Sequence, residues 1–114
     1  MFYLLITIIV IKTIAMKSIK LDAYVLDTLM ADLVGHDRAP SAFLAYLYLW
    51  RGTLGQGKTT TAFSLQEIAE GTGLSKSAVQ YGLRTLKRRR LIRAQKRNPT
   101  AVPEYELLRP WARR

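Results

Sequence analysis

The stretch Ser64–Ile92, SLQEIAEGTGLSKSAVQYGLRTLKRRRLI, contains two helical patterns joined by a short glycine-containing turn. Ser64 and Glu67 have the three-residue spacing of a capping box, which predicts the start of the first helix. Gly71 and Gly73 are expected to end it, because glycine enters left-handed backbone conformations at little cost. Two short helices around such a turn are typical of a helix-turn-helix.

The second helix of the pair is expected to run from Ser75 to about Arg89, with Ser75 as its N-cap. Its apolar residues recur at helical spacing, and Gly82 would let a neighbouring element come close. The predicted buried stripe consists of Val79, Leu83 and Leu86.

The remaining face of this helix, and the basic stretch after it, carry side chains suited to phosphates and base edges. The candidate DNA-binding residues are Ser75, Lys76, Ser77, Gln80, Tyr81, Arg84, Lys87, Arg88, Arg93, Lys96 and Arg97.

The string IAEGTGLSKSAVQYGLRTLKRRRLI resembles the winged helix-turn-helix regulators of bacteria, such as the MarR and GntR groups. The resemblance implies a support helix, a turn, a recognition helix and the first strand of a wing. Two positions depart from the usual pattern: Gly82 stands where alanine is common, and Arg90 replaces a common turn glycine.

The charge is distributed unevenly along the chain. Residues 1–75 contain six basic and six acidic residues, whereas residues 76–114 contain twelve basic and two acidic residues. The formal net charge of +10 therefore falls entirely on the predicted recognition helix, wing and tail. A one-sided basic surface is typical of proteins that bind a polyanion.

The residues after Ile92 predict a β-hairpin, the wing. Asn98-Pro99-Thr100 has the composition of a turn, and apolar and polar residues roughly alternate from Ala101 to Leu108. Pro103 predicts that the second strand lies at the edge of its sheet.

Two further helices are expected before this unit. Leu21–Val34 has apolar residues on one side and Gly35 at its expected end, and it is the natural candidate for a dimer helix. Ser41–Arg51 is apolar nearly all round, which predicts a central core helix. The expected fold is mainly α with a small β-hairpin: a winged helix-turn-helix with a three-helix core, a wing and an extra N-terminal helix.

The domain would span residues 16–108, with a basic tail at 109–114, where Trp111 is expected to dock on the domain. Residues 1–15 form an apolar leader. The run Phe2–Ile11 is too short for a membrane span, which needs about 20 apolar residues. We interpret Met16 as the true start, with a membrane anchor, or a strand or interaction segment, as alternatives.

Gly52–Thr59, GTLGQGKT, fits the phosphate-binding loop pattern G-x-x-x-x-G-K-[ST]. That loop needs a preceding strand, a helix starting at the lysine and a later acidic metal ligand, and no aspartate follows Thr59. A flexible loop between helices is the preferred interpretation.

The sequence also contains no cysteine and a single histidine, and no catalytic or metal-ligating constellation is visible. We therefore expect a cytoplasmic protein that is not an enzyme and needs no cofactor.

The expected function is sequence-specific binding of double-stranded DNA by a bacterial transcriptional regulator. Its expected partners are the DNA and, in a homodimer, a second copy of the chain; no membrane contact is expected. A plasmid or phage replication initiator uses the same kind of domain and remains an alternative. Two less favoured alternatives are a winged helix that binds protein or RNA, and a protein that binds a nucleotide at the phosphate-loop pattern.

Overall fold

The computed structural model describes residues 18–112. The leader expected over residues 1–15 and the last two arginines lie outside the described residues. The first helix, α1, consists of two π-helical stretches, Val25–Leu29 and Ala31–His36. It is followed by α2 (Pro40–Gly52), a 3-10 turn (Leu54–Gln56), β1 (Thr60–Ala62), α3 (Leu65–Thr72), α4 (Lys76–Arg88), β2 (Ile92–Gln95) and β3 (Glu104–Leu107). This mostly helical fold with a small antiparallel sheet confirms the predicted winged helix-turn-helix class.

Helix α1 has π-helical hydrogen bonding over most of its length, which the sequence did not indicate. The Asp37 N–H donates a backbone hydrogen bond to the Asp32 carbonyl, and this bond continues the helix past its expected end at Gly35. Val25, Leu29 and Leu33 repeat every four residues and are buried. Because the inward positions are spaced by four, they stay on one side of a π-helix about as well as of an α-helix.

Helix α2 is the centre of the core, as predicted. Its buried residues include Ala42, Ala45, Tyr46 and Leu49, and it packs against α1, α3, α4 and the sheet. Burial raises the pKa of Tyr46, whose hydroxyl donates a hydrogen bond of 2.9 Å to the Leu108 carbonyl. This bond joins the centre of the core to the end of the sheet.

The sheet has the strand order β1-β3-β2, with both pairings antiparallel. One strand was not predicted: Thr60–Ala62, directly after the loop expected over residues 52–59, pairs with β3. One expectation was wrong. Strand β3 is central rather than at an edge, and Pro103 lies just before it, where its missing N–H removes no ladder bond.

The segment after β3 packs against the start of α1. The Trp111 ring stacks on Tyr24 at 4.5 Å between centroids, and its indole N–H donates to Asp22 at 3.0 Å. Arg109 forms an ion pair with the same carboxylate at 3.0 Å. These contacts confirm the predicted docking of Trp111, so the tail as far as Ala112 is part of the domain surface.

Among residues 18–112, none of the helices has the length and apolar character needed to cross a membrane.

Candidate nucleic-acid interface

Local capping fixes the first half of the helix-turn-helix. The Ser64 hydroxyl accepts a bond from the Glu67 N–H at 3.1 Å, and the Glu67 carboxylate accepts one from the Ser64 N–H at 2.8 Å. The predicted capping box is therefore present. Gly73 ends α3 with a φ of 80°. Gly71, in contrast, lies within the helix, where a Cβ would overlap the Tyr48 ring.

The recognition helix α4 begins as the sequence predicted. The Ser75 hydroxyl accepts a hydrogen bond of 3.1 Å from the Ala78 N–H. Val79, Leu83 and Leu86 are buried, and α4 packs against α2 and α3. At Gly82, a Cβ would lie 2.8 Å from the backbone of Ser41 at the start of α2. Glycine therefore permits the close approach of α4 to α2.

All the predicted DNA-binding residues are exposed. On α4 and its cap they are Ser75, Lys76, Ser77, Gln80, Tyr81, Arg84, Lys87 and Arg88, and after α4 they are Arg93, Lys96 and Arg97. The Arg84 guanidinium lies 6.0 Å from the centre of the Tyr81 ring, at the outer limit of a cation–π contact.

The turn of the wing is held by its own polar groups. The Asn98 side-chain oxygen accepts bonds from the Thr100 N–H at 3.1 Å and the Thr100 hydroxyl at 2.9 Å. This is the Asx-type turn that asparagine favours. Lys96 and Arg97 are exposed at the start of the turn, so the wing presents two cations next to α4.

An open groove of about 530 Å³ separates α4 from the wing. Gln80, Arg84 and Lys87 line it from the helix, and Lys96 and Val102 line it from the wing. Its other lining residues are Ser64, Leu65, Leu83, Thr100, Ala101, Pro103 and Tyr105. Arg84, Lys87 and Lys96 give the groove a positive charge. Burial raises the pKa of Tyr105, so this phenol adds no negative charge near neutral pH. Sequence reasoning did not find the contributions of Ser64 and Val102.

Arg93 lies apart from this groove. It is paired with Glu106 across the β2–β3 ladder, and the two side chains form an ion pair of 3.4 Å. Ile92 on the same strand is buried, so Arg93 points to the outer face of the sheet. Of the eleven candidates, four line the groove, namely Gln80, Arg84, Lys87 and Lys96, and Arg93 is the one that forms an ion pair among the described residues.

Most of the other basic side chains have no acidic partner. Among residues 76–112 of the described chain, ion pairs are formed by Arg89, Arg93 and Arg109. The basic residues without one in this part are Lys76, Arg84, Lys87, Arg88, Arg90, Lys96 and Arg97. Their charge is therefore available to a ligand rather than neutralised within the protein.

Residues 57–96 match the family model of the IclR helix-turn-helix domain. The match spans β1, α3, α4 and β2, about a third of the chain. Together with the observed caps, turn and packing, it identifies this segment as a helix-turn-helix DNA-binding domain. The match supports the predicted resemblance at that level and does not favour the MarR or GntR groups. No curated protein and no solved structure matches the chain.

The phosphate-loop pattern at Gly52–Thr59 does not have the geometry that nucleotide binding requires. It follows α2 rather than a strand, and β1 rather than a helix begins after Lys58. A phosphate-binding loop needs a helix N-terminus at this lysine. Within residues 18–112, no group of three or more acidic or histidine side chains is arranged to hold a metal ion.

Proposed function

We propose that this protein is a bacterial transcriptional regulator that binds specific sites on duplex DNA. Helix α4 enters the major groove, and the wing contacts the neighbouring phosphate backbone or minor groove. The observation that carries this proposal is the set of unpaired cations on both sides of one groove, between α4 and the wing. A duplex offers a line of phosphates of matching charge.

Positions on α4 indicate which side chains are suited to base edges and which to phosphates. Lys76, Gln80 and Arg84 recur every four residues on the exposed face, and these residue types bind base edges. The cations at the end of α4 and on the wing are suited to phosphates, which position the protein without reading sequence. We assign the phosphate contacts to Lys87, Arg88, Lys96 and Arg97. The hydroxyl groups of Ser75, Ser77 and Tyr81 are suited to either partner.

Arg93 has the weakest claim to a direct contact, because its ion pair with Glu106 holds it on the outer face of the sheet. We therefore expect its replacement by alanine to weaken DNA binding less than replacement of Arg88.

The test is the triple variant Lys76→Ala, Gln80→Ala, Arg84→Ala. A preferred duplex is first selected from random sequences, and binding is measured against a scrambled duplex by fluorescence anisotropy. The variant should lose the preference while its circular dichroism melt stays close to that of the wild type, because all three side chains are exposed. A footprint that keeps its sequence preference would contradict the assignment.

We further propose that the regulator acts as a homodimer through α1. Leu26, Met30 and Val34 form an apolar stripe along α1 and are 50%, 41% and 38% exposed. A two-fold dimer would cover this stripe and place two recognition helices on a palindromic site. Sedimentation analysis of the wild type and of Met30→Glu checks this. The charged variant should shift towards monomer and lose affinity for a double site, but not for a half-site. Identical sedimentation as monomers would contradict the dimer.

A further inference from the structure

The four consecutive basic residues from Lys87 to Arg90 do not share one environment. Lys87, Arg88 and Arg90 are exposed, whereas Arg89 turns towards α1. Its Nη2 atom lies 2.7 Å from Asp32 Oδ2, and its Nε atom lies 3.4 Å from Asp37 Oδ2. One guanidinium group therefore bridges two carboxylates at the end of α1.

The buried carboxylate of Asp37 depends on the positive charge of Arg89. The Asp37 side chain is only 9% exposed, and its Oδ2 atom has no hydrogen-bond partner among the described residues. Its other oxygen is 2.9 Å from Nδ1 of His36. A carboxylate removed from water needs a nearby cation. Arg89 supplies that charge, so the guanidinium is committed to α1.

The position of Arg89 in the chain gives this contact its importance. It is the C-cap of α4, and its N–H donates to the Thr85 carbonyl at 2.9 Å. Arg90 follows with a φ of 57°, and β2 begins at Ile92. The ion pairs therefore hold the point at which the recognition helix ends and the chain turns into the wing.

We propose that Arg89 is a positioning residue for DNA recognition. It does not contact DNA, and it fixes the basic end of α4 and the start of the wing relative to α1 through Asp32 and Asp37. The proposal rests on the proposed DNA-binding function and assigns a distinct role to one member of the basic run.

The first experiment compares Arg89→Ala with Arg88→Ala, which remove the same charge from adjacent positions. Affinity for the selected duplex is measured over a range of salt concentrations. Arg88→Ala should reduce the slope of log K against log salt by about 0.9, the value for one phosphate contact. Arg89→Ala should lower affinity about three- to tenfold, a typical effect within one ion-pair network, and leave the slope unchanged.

The second experiment uses the opposite sign of charge, and it remains informative if Arg89→Ala fails to fold. Asp32→Asn removes a negative charge, so electrostatics alone would strengthen binding to DNA. Positioning through Arg89 predicts weaker binding instead, with recovery in Asp32→Glu. Asp27→Asn is the matched control, because Asp27 is exposed on the same helix and has no ion pair among the described residues. It should bind as tightly as the wild type or slightly more tightly.

The outcomes separate this inference from the proposed function. If Arg88→Ala and Arg89→Ala reduce the salt slope equally, or if Asp32→Asn binds as tightly as Asp27→Asn, Arg89 is not a positioning residue although the protein binds DNA. If the wild type shows no salt-dependent binding to any duplex, the proposed function fails and the inference fails with it. A double variant, Asp32→Asn with Arg89→Ala, should bind no more weakly than Arg89→Ala alone.

Discussion

Replacing Gly82 by alanine tests whether the contact between α4 and α2 is as close as the structure indicates. A Cβ at this position would lie 2.8 Å from the Ser41 carbonyl group and 2.9 Å from the Ala42 nitrogen. Both neighbours are backbone atoms at the start of α2, so they cannot move aside as a flexible side chain would. Inserting a methyl group into such packing costs about 1–3 kcal/mol.

A second effect opposes this cost, and a matched variant removes it. Alanine is favoured over glycine within a helix by about 1 kcal/mol. Gly35 also lies within a helix, but a Cβ there would have no atom within 4 Å. Gly35→Ala should therefore stabilise the protein by about 0.5–1 kcal/mol, from reduced backbone freedom in the unfolded chain. The difference between the two variants isolates the packing cost at Gly82.

The free energy of unfolding of both variants is measured by urea denaturation at one protein concentration. Gly82→Ala should be less stable than Gly35→Ala by about 1–3 kcal/mol, and its melting temperature should be lower by at least about 4 °C. Gly82→Ala should also bind the selected duplex more weakly, because relief of the overlap moves α4. If Gly82→Ala is as stable as Gly35→Ala, the close approach of the two helices is refuted.

Three further outcomes are expected. Lys58→Ala should leave DNA affinity within about tenfold of the wild type, since at most one phosphate contact is lost; tight ATP binding that depends on Lys58 would contradict this. Trp111→Ala should destabilise the fold by at least about 0.5–1.5 kcal/mol, the value of an aromatic pair such as that with Tyr24, and an unchanged thermal melt would show that the tail contributes nothing. A chain that begins at Met16 should melt within about 5 °C of the full chain, because the described core lies between Val25 and Leu107; a larger fall, roughly 1 kcal/mol or more, would show that the leader packs on the domain.

The parts of the fold that were predicted correctly are those determined by neighbouring residues. The N-caps at Ser64 and Ser75, the glycine C-cap at Gly73 and the stripe on α4 all depend on residues within a few positions of one another. Local hydrogen bonds and helical spacing therefore predict them without knowledge of the rest of the chain. Gly82 could be singled out for the same reason, because glycine at a buried helical position indicates a close neighbour.

The parts that were missed depend on partners distant in sequence. Strand β1 has only three residues. Its central residue, Thr61, pairs with Tyr105, which lies more than forty positions later in the sequence. A threonine-rich segment of this length resembles a loop until its partner is known. The wide winding of α1 was also missed, because buried residues at a four-residue spacing are compatible with either kind of helix. The central position of β3 follows only from the pairing with β1.

The four basic residues from Lys87 to Arg90 show which feature of the site the sequence does not indicate, namely the separate role of each residue. Successive residues of a helix point about 100° apart, so the side chains of Lys87 to Arg90 leave the chain in different directions. Their identical charge conceals this: all four add to one basic region of the sequence, although only Lys87 and Arg88 were predicted to bind DNA. The acidic residues Asp32 and Asp37 select Arg89, and they do so because α1 and the end of α4 meet in the folded protein. The charge of the chain indicates that a polyanion is bound, whereas the role of each cation depends on which of them the fold has already paired.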